Sequence, residues 1–170
     1  REDTAALNRL VKSLNETIDL QLIMEKVHSY MRENFGIQYY SLLSVNTEKT
    51  HLRIVAATLP EFVTPEERDR VFRFTVPMQQ ARGGHGLVLR RKRPAYFPNT
   101  VGEDLSWLTD DERYVMNVCK IHSYLFVPLL LNHVPVGILN FSNSTQAMHL
   151  TEDDITRLSA FFICWTVRTC

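Results

Sequence analysis

Three glycines, Gly83, Gly84 and Gly86, lie together in the middle of the chain and are followed by an apolar and then a basic stretch. Because glycine adopts positive φ angles without strain and lets other groups approach the backbone closely, this cluster predicts a sharp turn. A short helix is predicted next, and then an edge segment that Pro94 and Pro98 flank. The first N–H groups of such a helix point back at the turn and form an anion site. The alternative interpretation is a turn that only changes the direction of the chain.

The order of the elements around this turn predicts an α+β fold. Apolar residues at helical spacing cover the N-terminal part, and segments of alternating polarity follow it. The predicted elements are a helical segment over 1–35, strands over 37–46, 51–59 and 71–76, a helix from about 109 to 120, strands over 123–131 and 136–142, and a helix from Thr151 to the end. This order is typical of an antiparallel sheet with helices on one face and an irregular middle segment on the other. Without repeats or linkers, the chain is predicted to be one domain over 1–170, with 1–35 as a helical segment and 37–170 as its core.

Local signals indicate where several elements begin and end. Asp19 is a candidate N-cap, which predicts a kink or two helices in tandem within 1–35. Residues 65–68 are predicted to form one helical turn that begins at a proline. Residues 132–135 are predicted to form the turn between the last two strands. The three carboxylates at 110–112 are interpreted as the first turn of a helix, where they complement the helix dipole.

The first helical segment offers a surface for dimerisation. Its apolar residues recur at spacings of three and four, at Leu7, Leu10, Val11, Leu14 and Ile18. Such a narrow stripe suits the seam of a coiled coil better than a helix that packs on a core. The pattern predicts a homodimer through this N-terminal helix. The alternative is a helix that packs on the sheet of its own chain.

Composition argues against several classes of function. The formal net charge is zero, so no overall field favours nucleic acid or an anionic membrane. No apolar run approaches the roughly 20 residues of a membrane span. The three cysteines, Cys119, Cys164 and Cys170, show no metal-ligand spacing, which favours a reducing, cytoplasmic location. Cys119 and Cys164 are predicted to be small buried hydrophobes. No catalytic motif is found, so we expect no catalytic residue and no metal site.

Three motifs, in this order along the chain, resemble the GAF family of sensory domains. The first spans 83–99, where the glycines and a valine precede two prolines and Asn99 stands in the place of the family's Asp. The second spans 123–141 and is similar to the family's Ser-x-Leu-x-Val-Pro-Leu followed by Gly-Val-Leu. The third, Leu-Thr-Glu-Asp-Asp at 150–154, is similar to the Phe-Thr-x-x-Asp that opens the family's last helix. The resemblance covers nearly the whole chain.

This resemblance implies a PAS-related sheet of five to six antiparallel strands, with the N- and C-terminal helices on one face. On the other face, residues from about 79 to 122 would roof a small-molecule pocket. It also implies a regulatory domain that is not an enzyme and that controls an attached effector, such as a nucleotide cyclase, phosphodiesterase, kinase or phosphatase. Bilin binding through Cys119 and haem binding through His85 or His122 are weaker alternatives. The methionine-sulfoxide reductases of this fold need more pocket cysteines than Cys119.

Matched to the GAF domains that bind cyclic nucleotides, the motifs imply eight ligand-binding residues: Ser41, Thr58, Gly84, His85, Gly86, Asn117, Ile121 and Asn140. Cyclic AMP or cyclic GMP is the ligand that this match implies, with its phosphate on the N–H groups of the glycine turn. The chain departs from that subfamily at Ser144 and Ile155, where Lys and Glu are expected. The alternative is a ligand-free dimerisation module whose pocket is filled by its own aromatic side chains. The candidates for that filling are Phe72, Phe74, Tyr96 and Tyr114.

Overall fold

The computed structural model describes the backbone of residues 17–168 and the side chains of residues 20–162. In chain order, the elements are α1 (Thr17–Phe35), β1 (Tyr39–Val45), β2 (His51–Ala57), α2 (Pro65–Phe72), β3 (Thr75–Pro77), α3 (Gly83–Arg91), β4 (Ala95–Phe97), α4 (Asp110–Val118), β5 (Ser123–Leu131), β6 (Val134–Asn143) and α5 (Glu152–Arg168). The stripe from Leu7 to Leu14, and the side chain of Ile18, lie outside the described residues. None of the helices in the described part is both long and apolar enough to cross a bilayer.

The six strands form one antiparallel sheet in the order β3-β2-β1-β6-β5-β4. The first and the last strands in chain order, β1 and β6, pair at the centre of the sheet. In this register Ser41 lies opposite both Ala57 on β2 and Asn140 on β6. Asn140 in turn lies opposite Phe126 on β5. The predicted α+β fold with five to six antiparallel strands is confirmed.

The two faces of the sheet carry different helices, because successive side chains of a strand point to opposite faces. On one face the Tyr40 ring contacts the His28 ring of α1 at a centroid distance of 5.2 Å. On the same face Phe141, which pairs with Tyr40, contacts Phe162 of α5 at 5.9 Å. On the other face the Phe126 ring lies 4.8 Å from the His85 ring of α3. The terminal helices therefore share one face, and the segment that contains α3 and α4 covers the other, as predicted.

The predicted third strand over 71–76 is present but begins later than predicted, because residues 71–73 belong to α2 and its C-terminal cap. Thr64 and Glu67 form a capping box, in which each side chain accepts a hydrogen bond from the other residue's backbone N–H. One helical turn is predicted here, but the helix has eight residues, because this cap and the proline at the first helical position stabilise its start. The buried Val71 therefore packs from a helix, and β3 is limited to Thr75–Pro77.

Two other predicted boundaries are corrected. The turn between β5 and β6 has two residues, Asn132 and His133, which both take positive φ angles of 51° and 64°. Paired left-handed residues match the twist of a tight hairpin, so Val134 and the proline after it belong to β6. At the N-terminus, α1 passes through Asp19 as one helix, and no new helix begins there. Residues 1–16, on which the alternative of two helices in tandem also depends, lie outside the described residues.

Candidate functional site

A cavity of about 90 Å³ lies between the sheet and the segment that covers its second face. Its floor includes Ser41, Asn140 and Phe126, which are neighbours across β1, β6 and β5. Val115 and Met116 of α4 line it from above. Most of the wall is apolar, and a mostly apolar wall with a few polar groups is typical of small-molecule sites.

The structure brings five of the eight predicted binding residues to this cavity: Ser41, Thr58, His85, Ile121 and Asn140. The backbone of Gly84 and Gly86 lies behind His85 and does not line the cavity. Asn117 is exposed on α4 and is also absent from the lining. The Thr58 hydroxyl already accepts a hydrogen bond from the Tyr40 backbone N–H at 3.1 Å. Of the four aromatic residues considered as pocket fillers, Phe74 lines the cavity and the others do not.

The anion site predicted at the glycine turn is occupied by a carboxylate of the chain itself. Glu112 Oε1 accepts hydrogen bonds from the backbone N–H groups of Gly84 (3.1 Å) and Thr109 (2.9 Å). Its Oε2 accepts from the His85 backbone N–H (3.0 Å) and from His85 Nδ1 (2.6 Å). The Gly86 N–H donates to the Arg82 carbonyl. The donors that the sequence assigned to a ligand phosphate are therefore bonded within the protein.

Local sequence explains why the carboxylate reaches this position. Thr109 and Glu112 form the capping box of α4, which orients the Glu112 side chain toward the helix N-terminus. Gly83 has a φ of +69°, and a Cβ built there would lie 1.7 Å from Glu112 Oε1. A Cβ at Gly84 would lie 2.9 Å from the Phe126 ring. The glycines are thus needed for the close approach of this carboxylate and of the floor of the cavity.

Glu112 is ionised at neutral pH although its side chain is only 5% exposed. Burial alone raises the pKa of this carboxyl. The hydrogen bond and electrostatic attraction from His85, together with the backbone N–H groups of Thr109 and His85, outweigh burial and lower the pKa from 4.5 to about 2. Of the cavity-lining residues that the structure describes, Glu112 is the one carboxylate, and none is Lys or Arg. The sequence interpretation of Glu112 as a helix-dipole residue is incomplete, since Glu112 also joins α4 to α3.

Two buried polar atoms at the cavity have no hydrogen-bond partner among the described residues. They are the Tyr124 hydroxyl and Asn140 Oδ1. The Asn140 side chain makes one hydrogen bond, in which its Nδ2 donates to His85 Nε2 at 3.0 Å. Burial, and secondarily the charge of Glu112, raise the pKa of Tyr124, so its phenol stays protonated. Buried polar atoms are nearly always paired, so unpaired ones on residues that line a cavity indicate a ligand or ordered water.

The covering segment has further contacts at its edges. The Arg70 guanidinium of α2 lies 3.7 Å from the centroid of the Tyr114 ring of α4. Beyond α4, Lys120 Nζ lies 4.9 Å from the centroid of the Phe62 ring, which belongs to the loop after β2. Cation–π contacts of this kind contribute about 0.5–2 kcal/mol. The first contact joins α4 to α2, and the second joins the turn after α4 to the loop after β2.

Features suited to a prosthetic group are sparse at this cavity. Cys119 lines it and is buried, which raises the pKa of its thiol to about 11. His122 is not part of the lining. Within the described part of the chain, no three His, Cys, Asp or Glu side chains converge on a point that could hold a metal ion.

Comparison with known proteins gives a consistent family. Solved structures with similar folds include the GAF domain of a phosphoenolpyruvate-protein phosphotransferase from Acinetobacter, with 18% identity, a TM-score of 0.60, and 99% of this chain and 93% of that chain covered. A GAF domain/HD domain protein from Geobacter sulfurreducens has 12% identity and a TM-score of 0.64 over 94% of each chain. The second GAF domain of DevS from Mycobacterium smegmatis has 16% identity and a TM-score of 0.57 over 88% of each chain.

These identities establish a shared fold alone. No curated protein matches the sequence. The sequence model of the GAF domain covers residues 17–161, which is most of the described chain. GAF domains are sensory or regulatory parts of signalling proteins. With a family match of this length and a sheet, helices and covered cavity in the arrangement described above, the chain belongs to the GAF domain family.

Proposed function

We propose that this domain is a sensor that binds a small ligand in the cavity between the sheet and α4 and thereby controls an attached effector. We propose that the effector is a nucleotide cyclase, phosphodiesterase, kinase or phosphatase. A cytoplasmic location is part of the same proposal. The observation that carries it is the pair of unpaired buried polar atoms, on Tyr124 and Asn140, at a mostly apolar cavity. A ligand that pairs with them would recover the cost of their burial.

The sheet supplies a route from the cavity to the terminal helices. Ser41 and Asn140 face the cavity, whereas Tyr40 and Phe141, their neighbours in β1 and β6, face α1 and α5. A ligand that moves the centre of the sheet would therefore also move contacts on its opposite face. It can shift the equilibrium between two arrangements only by its difference in affinity for them. A homodimer through the N-terminal helix, which would pass the change on, is part of the same proposal.

A cyclic nucleotide is one candidate ligand, and the geometry defines what its binding requires. The phosphate would have to displace Glu112 from the N–H groups of Gly84 and His85. The cavity would also have to grow, because about 90 Å³ is well below the roughly 300–1,000 Å³ of pockets that hold drug-sized ligands. Calorimetry with cyclic AMP and cyclic GMP tests this candidate. If millimolar nucleotide gives no binding heat and no thermal shift, this candidate is excluded.

The general proposal is tested by thermal-shift measurements with a set of small metabolites on the 170-residue chain and on a blocked variant. Ser142 lines the cavity from β6, and none of the hydrogen bonds described above involves its side chain. Ser142→Phe should fill the cavity without breaking a bond, and phenylalanine suits a strand. The proposal expects at least one compound to stabilise the wild type and not Ser142→Phe. It fails if every compound that binds also binds the blocked variant.

A ligand-free dimerisation module is a second candidate, and exposed apolar residues on the terminal helices favour it. Leu22 and Tyr30 on α1 are 56% and 55% exposed, and Phe161 on α5 is 53% exposed. Contiguous exposed apolar patches mark association surfaces, and four of the eight large apolar side chains exposed in the described residues lie on these two helices. Changing Leu22 and Tyr30 to Asp should then convert a dimer to a monomer in light scattering. The same test applied to Leu10 and Leu14 would examine the coiled-coil stripe.

A further inference from the structure

The charges around the cavity disfavour an anionic ligand. Its one described carboxylate, Glu112, is ionised and already pairs with the one histidine of the lining, His85, and no described lining residue is Lys or Arg. The backbone donors at the start of α3, which would otherwise bind an anion, are bonded to Glu112. A buried anion without a counter-charge or free donors carries a large desolvation cost. An uncharged ligand avoids both this cost and repulsion by Glu112.

The unpaired atoms define which polar groups the ligand needs. Asn140 Oδ1 is an acceptor and requires a hydrogen-bond donor, whereas the Tyr124 hydroxyl can donate or accept. The two residues are diagonal neighbours on β6 and β5, since Tyr124 lies opposite Ser142 and Asn140 lies opposite Phe126. Diagonal neighbours on one face have Cβ atoms about 7–8 Å apart at most. One small molecule can therefore meet both polar groups.

The walls favour a flat ring. The rings of Phe74, His85, Phe126 and Tyr124 follow one another, with centroids 5.1, 4.8 and 4.7 Å apart in that order. Stacked and edge-to-face contacts between aromatic rings are favourable at these separations. A volume of about 90 Å³ is several times what one water molecule needs, yet small for a nucleotide. A single ring with a polar substituent would therefore need far less enlargement of the cavity than a nucleotide.

We propose that the cavity selects an uncharged aromatic or heteroaromatic molecule of one ring that carries an N–H or O–H donor, held between Asn140 Oδ1 and the Tyr124 hydroxyl. This inference rests on the proposed sensor function and deepens it. It assigns Glu112 a role in selectivity as well as in structure, because its charge and its use of the α3 donors exclude anions of the same shape.

Matched pairs of probes test the inference. Benzamide and nicotinamide carry an uncharged amide donor, whereas benzoate and nicotinate have the same rings with a carboxylate. Calorimetry and thermal shift on the 170-residue chain should give saturable binding of both amides. Each carboxylate should bind at least about tenfold more weakly than its amide. A carboxylate has no N–H donor for Asn140 Oδ1, and the loss of one hydrogen bond costs about that factor. Ser142→Phe should abolish binding of the amides.

Tyr124→Phe separates a role in ligand binding from a structural role. It removes only the unpaired hydroxyl, so the unliganded variant should melt at the same temperature as the wild type or higher. Its affinity for benzamide should fall about tenfold. Unchanged affinity for benzamide in this folded variant would overturn the assignment of the hydroxyl, and with it the proposed mode of binding.

Three further results would overturn the inference. These are equal affinity for amide and carboxylate, no saturable binding of either amide at millimolar concentration, and amide binding that persists in Ser142→Phe. The proposed function can be judged separately. If cyclic AMP or another metabolite binds the wild type and not Ser142→Phe while the amides do not bind, the ligand class is wrong and the sensor function stands. If no compound shows binding that depends on the cavity, both fail.

Discussion

Replacing Glu112 with Gln is expected to remove most of the free energy by which this carboxylate stabilises the folded domain. The carboxyl has its ordinary pKa of 4.5 in the unfolded chain. In the folded domain burial raises the pKa, but bonding and attraction from His85 and the backbone N–H groups of Thr109 and His85 lower it to about 2. The difference corresponds to about 3 kcal/mol of stability at neutral pH, since each pKa unit is worth about 1.4 kcal/mol.

The pH dependence follows from the direction of this change. Because the pKa of Glu112 is lower in the folded than in the unfolded state, its stabilisation is complete above pH 4.5 and is lost as the pH falls toward 2. Urea unfolding of wild type and Glu112→Gln between pH 7 and pH 2 measures it. The difference in free energy of unfolding should be about 3 kcal/mol at pH 7 and should shrink below pH 4.5. Glu103→Gln, which makes the same chemical change at an exposed position, is the matched control and should leave stability unchanged.

Two results would refute this reasoning. If Glu112→Gln and the wild type are equally stable at pH 7, the four hydrogen bonds to the carboxylate contribute nothing net. If the difference is the same at pH 7 and near pH 2, its cause is the packing of the amide and not the charge of the carboxylate. A refutation of either kind would also weaken the argument that this charge excludes anionic ligands.

Three other predictions follow from the structure. Gly83→Ala should cost about 3 kcal/mol or more in urea unfolding, because its Cβ would displace the Glu112 carboxylate, whereas Gly102→Ala, also at positive φ but with open space around it, should cost about 1 kcal/mol. Cys119 should react with iodoacetamide at pH 8 far more slowly in the native than in the urea-unfolded chain, as mapped by peptide mass spectrometry, since burial raises its pKa to about 11; equal rates would contradict its burial. Asn143→Ala should cost about 2 kcal/mol, because this buried amide makes two hydrogen bonds to the turn after α1, and an unchanged unfolding midpoint would show that water replaces them.

The occupied glycine turn changes how this domain is expected to work. An anion-binding helix N-terminus is present, as the sequence predicts, but the chain supplies the anion. Glu112 fixes the start of α4 to the start of α3 and leaves the unpaired atoms of Tyr124 and Asn140 as the unsatisfied part of the cavity. In the proposed function, a ligand would bind between α4 and the sheet without disturbing this link. Movement of α4 then depends on its weaker contacts, such as the Arg70–Tyr114 pair.

Sequence alone was sufficient for features that depend on neighbours a few residues apart. Thr109 with Glu112 and Thr151 with Asp154 satisfy helix N-termini locally, so the starts of α4 and α5 are visible in the sequence. Short apolar segments between turn residues mark β1, β2, β5 and β6, and β5 is buried along nearly its whole length instead of on one face. The error at 71–76 arose because alternating apolar residues over so short a segment also fit a helix that a cap extends, and Val71 is buried in either case.

The chemistry of the site was decided by the tertiary structure. The Glu112 carboxylate bonds to Gly84, 28 positions earlier, and Asn140 bonds to His85 across 55 positions. No local pattern encodes such contacts, because they depend on how α3 and α4 pack on the sheet. A run of three carboxylates looks the same whether one of them is buried or all are exposed. The sequence thus determined the fold and a glycine turn able to hold an anion, and only the packing of distant segments decided that this anion is the chain's own.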